Sequence, residues 1–302
     1  MSLRHNAYLE SKEGTVLALL RSTLALAFLT LCSLPLDADA GVLPSVLVPE
    51  MREVSGETPS VLHYLMGNAY VNDGMLDSAI AEYRKVLEMN PDCPEAHNNL
   101  GAVYFGKGMK DQAIREYKEA IAQDTHFVAP HYNLAAVYAE RGMSDQAISE
   151  YRTVLKIDPH YPKAHNNLGA IFFSKEMVAE AITEYKEELA HNPLDVDAHY
   201  NLGVAYFSKG MIDEAISEYG LILNIDPHDG KVHNNLAVAH YAEKRFDMAW
   251  QHAKMAAKLD DPPHPEFMKL LKDASSSVRK QEELDTETEP QQGHLPGSPK
   301  LR

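Results

Sequence analysis

Residues 94–127, PEAHNNLGAVYFGKGMKDQAIREYKEAIAQDTHF, return 34 residues later from Val128, and again from Pro162 as PKAHNNLGAIFFSKEMVAEAITEYKEELAHNPLD. Further copies begin at Ser60, Val196 and Gly230, so six copies without an insertion cover residues 60–263. A fixed period of this size excludes a single globular core. It prescribes stacked supersecondary units, each of which buries its apolar face only against its neighbours.

The pattern inside a unit defines two helices. With the unit numbered from 1 to 34, positions 4, 7, 8 and 11 are His97, Leu100, Gly101 and Tyr104 in the second copy, a spacing that shares one helix face. Positions 20, 24 and 27, Ala113, Tyr117 and Ala120, share a face of the second helix. Between them Gly108 suits the left-handed backbone that ends a helix. Pro91, Pro159, Pro193 and Pro227 stop the second helix near unit ends. Small residues at positions 8 and 20, such as Gly67 with Ala79 and Gly169 with Ala181, predict close helix approach.

These motifs resemble the tetratricopeptide repeat family, whose leucine, glycine, aromatic, alanine and proline positions are filled in most units. Departures are local: Met66 for the leucine, Ala135 and Ala237 for the glycine at position 8, Thr125 for a terminal proline, and Glu176 and Lys244 for the turn glycine. The sixth unit departs most, with His240 and Ala253 at aromatic positions. The resemblance implies an all-α fold, a right-handed α-solenoid of six helix–turn–helix repeats (60–93, 94–127, 128–161, 162–195, 196–229 and 230–263) spanning 59–263. Pro262, Pro263 and Pro265 then break the pattern, and Phe267, Leu271, Ala274 and Val278 at helical spacing predict a capping helix over 264–284 that covers the open end of the stack. Residues 285–302 lack apolar periodicity and read as a disordered tail.

Residues 1–40 read as an export signal: Arg4, Lys12 and Arg21 precede an apolar run from Leu24 to Leu36, and Ala38-Asp39-Ala40 is a small-x-small cleavage site before Gly41. The alternative is a retained membrane anchor over residues 16–36, although Arg21 sits inside it. A lipid on Cys32 is disfavoured by Leu31 before it. Either main reading places the repeats outside the cytosol, in a bacterial periplasm. Residues 41–58 read as a linker, with Thr58-Pro59 opening the first helix. After cleavage Cys93 would be the only thiol and could form no internal disulfide.

Acidic groups outnumber basic ones, 44 to 28, which argues against nucleic acid as a partner. The sequence holds no phosphate loop, no serine elbow and no metal-ligand helix motif, and its polar groups recur by translation, so the reading is non-enzymatic with no cofactor and no small-molecule substrate. Histidine fills position 4 in every unit: His63, His97, His131, His165, His199 and His233. Equivalent helices should lie roughly 16–20 Å apart, or less if the layers interleave, whereas zinc ligands converge within about 2.1 Å of one ion. Packed structural histidines are therefore the reading, with no metal.

Position 6 is Asn99, Asn133, Asn167, Asn201 and Asn235. A carboxamide both donates and accepts, so a regular row of them can meet the backbone of an extended chain whatever its side chains. In the family this stripe lines the concave surface, and the repeats of O-linked N-acetylglucosamine transferases carry a similar asparagine ladder. No glycosyltransferase domain follows, so only peptide holding carries over. Rings flank the row: Tyr132 and Tyr200 at position 5, where tyrosine alternates with asparagine, and Phe105, Phe173, Phe207 and Tyr241 at position 12. Methionines at position 16, from Met75 to Met211, read as turn plugs. The function expected is a binding module for extended segments of partner proteins. The alternative is a self-associating scaffold of an envelope complex, a homo-oligomer. Alanine at Asn133, Asn167 and Asn201 is expected to abolish capture and to leave melting intact.

Overall fold

The computed structural model describes residues 58–288, with side chains to Ser276; the leader, the linker before Thr58 and the last fourteen residues lie outside the described residues. Among the described residues there are thirteen helices and no strand. The first unit pairs α1 (Thr58–Asn72) with α2 (Leu76–Met89), and the second α3 (Pro94–Gly106) with α4 (Lys110–Gln123). The third pairs α5 (Val128–Glu140) with α6 (Ser144–Ile157), and the fourth α7 (Ala164–Ser174) with α8 (Val178–His191). The fifth pairs α9 (Val196–Ser208) with α10 (Ile212–Ile225), and the sixth α11 (Gly230–Ala242) with α12 (Phe246–Lys258). Each second helix then packs on the first helix of the next unit. The result is an all-α solenoid.

Each turn is closed by one device. Gly108 has φ +73, its N–H donates to the Phe105 carbonyl at 2.8 Å, and the Met109 N–H reaches back to the Tyr104 carbonyl at 2.8 Å. This is the double bond of a Schellman ending, which satisfies carbonyls orphaned at a helix C-terminus. Glu176 and Lys244 take the same left-handed backbone, at φ 63 and 57. Met109, Met143, Met177 and Met211 follow as half-buried plugs against the core; Met75 is exposed.

One apolar core runs from Tyr64 to Leu236. Its floor is Leu100, Leu134, Leu168, Leu202 and Leu236, none more than 3% exposed, each contributing roughly 1.5–3 kcal/mol by burial. The close approach at position 8 is sharp. A Cβ on Gly169 would stand 2.7 Å from the Tyr185 ring, and one on Gly101 2.8 Å from Tyr117. In the sixth unit both partners change together, Ala237 facing a second helix in which the tyrosine is Ala253.

The end helix α13 (Pro265–Thr288) lays Leu271, fully buried, into a second small core with Ala237, Ala249 and Ala253, and Phe267 meets the Tyr241 ring edge-on at 5.6 Å. The helix runs through residues 285–288, assigned above to the tail. DTET contains no breaker, and the next proline is Pro290. Among the described residues no helix is long and apolar enough to cross a membrane.

Candidate functional site

The asparagine row is a set of joints between units. Asn99 Nδ2 donates to the Tyr64 hydroxyl at 2.9 Å, Asn133 Nδ2 to Asn98 Oδ1 at 3.0 Å, Asn167 Nδ2 to the Tyr132 hydroxyl at 2.9 Å, and Asn201 Nδ2 to Asn166 Oδ1 at 3.0 Å. Each acceptor is position 5 of the preceding unit, 35 residues back. The tyrosine–asparagine alternation at position 5 thus has a physical meaning. A phenol oxygen and a carboxamide oxygen serve the same donor at alternate junctions, and the pattern of inter-unit contacts repeats every second unit. The layers interleave: side chains of successive first helices bond directly, closer than the wide spacing considered from the sequence.

The two joint types are not equivalent. At the tyrosine joints a second tyrosine, position 24 of the preceding unit, joins in: Asn167 Nδ2 also reaches the Tyr151 hydroxyl at 3.2 Å, and Asn235 bonds to Tyr219. Tyr132 and Tyr151 stand edge-on at 5.5 Å, a favourable aromatic geometry. Burial raises the hydroxyl pKa of both. At the asparagine joint between the second and third units, the Asn133 Oδ1 and Tyr117 hydroxyl are buried without a partner.

The row is therefore only partly open. Asn99 and Asn133 are buried at 0% and 1% exposure; Asn167, Asn201 and Asn235 are half-buried. Among the rings, Phe105 is buried, while Tyr132, Tyr200, Phe173, Phe207 and Tyr241 are half-buried. Tyr132 packs at a tilt on Tyr161 at 5.0 Å, and Tyr241 packs on Phe246 and Phe267, so both also serve the solenoid core. The strip is most open on the first helix of the fourth unit, where Ala170 and Ser174 are exposed beside Asn167, and it continues into the fifth, where Ser208 is exposed on the face of Asn201. The spacing of positions 6, 9 and 13 predicts this strip; the inward commitment of the amide nitrogens was not read from the sequence, although the position 5 alternation was its signal.

The position 4 histidines are struts within a unit. Nδ1 meets the position 23 glutamate of the second helix: His97 with Glu116 at 2.8 Å, His131 with Glu150 at 2.6 Å, His165 with Glu184 at 2.7 Å, His199 with Glu218 at 2.6 Å, and His63 with Glu82. On the other side Nε2 faces a backbone carbonyl six residues back, as His131 faces Thr125 at 3.3 Å and His199 faces Pro193 at 3.0 Å. The hydrogen bond to Glu184 raises the His165 pKa. The sixth unit breaks the rule. Its position 23 is His252, 2.9 Å from His233, and His240 stacks on His252 at 5.4 Å with its Nδ1 buried and unpartnered. Burial, with His233 and His240 beside it, pushes His252 down to about 4.

Other features offer less. A cleft of about 420 Å³ between the first two units is lined by Arg84, Leu87, His97, Tyr104 and Arg115, but Arg84 is already bonded to the Tyr104 hydroxyl at 2.7 Å. Cys93 precedes α3 at 2% exposure, and burial pushes its thiol up to about 11, so it packs rather than reacts. Among the described residues no group of three or more His, Cys, Asp or Glu side chains is arranged to hold a metal.

The stacked helical hairpins, the Schellman turns and the glycine–tyrosine contact define a tetratricopeptide architecture. The chain matches the TPR repeat family over residues 63–108, 137–176 and 169–210, and the tetratricopeptide repeat over residues 94–127 and 196–229. It belongs to the tetratricopeptide repeat family and is a protein-interaction module of that class. No curated protein matches it. Among solved structures it is similar to MamA, at 26% identity over 55% of this chain and 97% of that one, with a TM-score of 0.51. It is also similar to YrrB, described as a TPR protein with an unusual peptide-binding site, at 19% identity over 59% of this chain and 91% of that one, TM-score 0.53. PilF of Pseudomonas aeruginosa aligns at 18% identity over 71% of this chain and 97% of that one, TM-score 0.61. At these identities YrrB and PilF share the fold.

Proposed function

We propose that the solenoid is a non-enzymatic module that holds an extended segment of a partner protein along the first helices of its fourth and fifth units. The observation that carries this is the open strip: Ala170, Ser174 and Ser208 are exposed beside half-buried Asn167 and Asn201, while the leucines of the same helices are buried. With their amide nitrogens turned to the preceding unit, half-buried Asn167 and Asn201 would offer a partner their carboxamide oxygens, which suit backbone N–H groups. Each such bond nets roughly 0.5–1.5 kcal/mol, and ordering a peptide costs several kcal/mol. Asparagines alone are too few, so Tyr200, Phe173 and Phe207 supply the apolar remainder, and binding is weak and tolerant of sequence. A photocrosslinking residue at Ala170 tests this in the producing cell: it should capture a partner through an extended segment, and the same residue at Lys186 on the second helix should not. Equal capture from both sites, or from neither, rejects the strip.

A second reading, self-association into a scaffold, is favoured by exposed Leu194, Leu221 and Ile225, at 72%, 43% and 47% exposure. Replacing all three by serine should leave a monomer where the parent associates. Export to a periplasm rests on the N-terminal sequence alone. A mature protein starting at Gly41 supports cleavage, and one retaining residues 16–36 supports the anchor.

A further inference from the structure

The linker between the third and fourth units carries His160, and α8 ends at His191. His160 Nδ1 lies 3.2 Å from His191 Nε2, both residues are exposed, and their ring centroids are 4.1 Å apart. Two nitrogens that each bind one ion at about 2.0–2.1 Å stand roughly 2.9–3.4 Å apart at right-angled to tetrahedral geometry. The observed separation falls inside that interval. The His160 backbone and the His191 ring are both braced. The His160 backbone N–H donates to Asp158 Oδ1 at 3.0 Å, and His191 stacks at 6.2 Å on His165, itself fixed by Glu184.

The pair is not a product of the repeat. The corresponding residues at the other junctions are Asp92 with Gln123, His126 with Ile157, Leu194 with Ile225, and His228 with Leu259. Among these junction positions, two histidines fall together only here. This junction is also irregular in backbone: Lys163 is left-handed at φ 61, and α7 starts at Ala164, whereas α3, α5, α9 and α11 start at the first residue of their units.

We propose that His160 and His191 chelate one divalent transition-metal ion, of the Zn2+, Ni2+ or Cu2+ class, that clamps the linker from the third unit to the end of the fourth. Imidazole nitrogen suits these borderline ions and not Mg2+ or Ca2+, which take oxygen ligands. No third ligating side chain converges among the described residues, so water fills the remaining positions. As ligands, His160 carries its proton on Nε2 and His191 on Nδ1. Whichever ring now donates across the contact moves its proton to its outer nitrogen, and none leaves the pair. The two residues are 31 apart in sequence, so the unfolded chain does not hold them together and binding stabilises the folded stack.

Calorimetric titration of tag-free protein with ZnCl2 and with NiCl2, paired with thermal melting, is the test. The expected result is one ion per chain and a raised melting temperature. His160→Ala and His191→Ala should each weaken binding at least about tenfold and remove the melting shift. His228→Ala, at the same linker position but with Leu259 where His191 stands here, should change neither. Circular dichroism confirms that the variants are folded. No binding at millimolar metal, or binding that survives both His160→Ala and His191→Ala, overturns the proposal.

Discussion

The Asn167 amide nitrogen sits 2.9 Å from the Tyr132 hydroxyl of the unit before it, and the same nitrogen reaches Tyr151 at 3.2 Å. Both hydrogens of one carboxamide are thereby spent on a single junction. Asn133 spends one bond on Asn98 and leaves its own oxygen without a partner.

Asn167→Ala should therefore destabilise more than Asn133→Ala. A net hydrogen bond is worth roughly 0.5–1.5 kcal/mol, so the expected losses are about 2 kcal/mol at Asn167 and about 1 kcal/mol or less at Asn133. Urea melts of the two variants check the order. The expectation from sequence, that alanine at these positions spares melting, runs against these bonds.

Gly169→Ala should also destabilise, although alanine is the better helix former by up to about 1 kcal/mol. The new Cβ would lie 2.7 Å from the buried Tyr185 ring. The third unit carries Ala135 in the same core as Tyr151, so an alanine at position 8 is compatible with the fold, and a net cost of about 1–2 kcal/mol is expected for the overpacking. Thermal melting measures it, and Tyr185→Ala in the same chain should relieve the clash while opening a void.

Acid should loosen the sixth unit first. His252 is held at about 4 in the folded chain, below the ordinary histidine value near 6.5. Between those values the unfolded state binds a proton that the folded state refuses, so stability falls as pH drops from 6.5 towards 4. Burial, with Arg245 nearby, lowers His240 as well and adds in the same direction. The raised His165 acts oppositely: its stabilisation is present at acid pH and is lost as pH rises through its folded pKa. Discounted for partial solvent access, the His252 effect is roughly 2 kcal/mol. Trp250, the sole tryptophan, lies in α12 with its Nε1 3.0 Å from Ser275 of α13. Its fluorescence should change across that pH window, and His252→Glu, which restores the carboxylate of the other five units, should flatten the change.

The period of 34 residues made the helix count, the turns and the packed faces legible, because each obeys a local rule repeated six times; the glutamate partners of position 4 and the tyrosine partners of position 8 come from the structure. What escaped was non-local. The tyrosine–asparagine alternation was visible as a pattern, yet its role depends on a residue 35 positions away in a neighbouring layer. The meeting of His160 and His191 depends on how an irregular linker lies over the next hairpin. Substitutions in the sixth unit read as decay of the repeat, and only contact shows that Ala237 with Ala253 and His240 with His252 change as pairs.

The most direct measurement is the affinity of a peptide copied from the segment crosslinked at position 170, compared between the parent and Ala170→Trp. Ala170 is exposed on the strip, and none of the inter-unit bonds described passes through it. A bulky ring there should block the peptide and leave melting within about 2 °C of the parent. Unchanged affinity with the indole in place would contradict an occupied strip on the first helices.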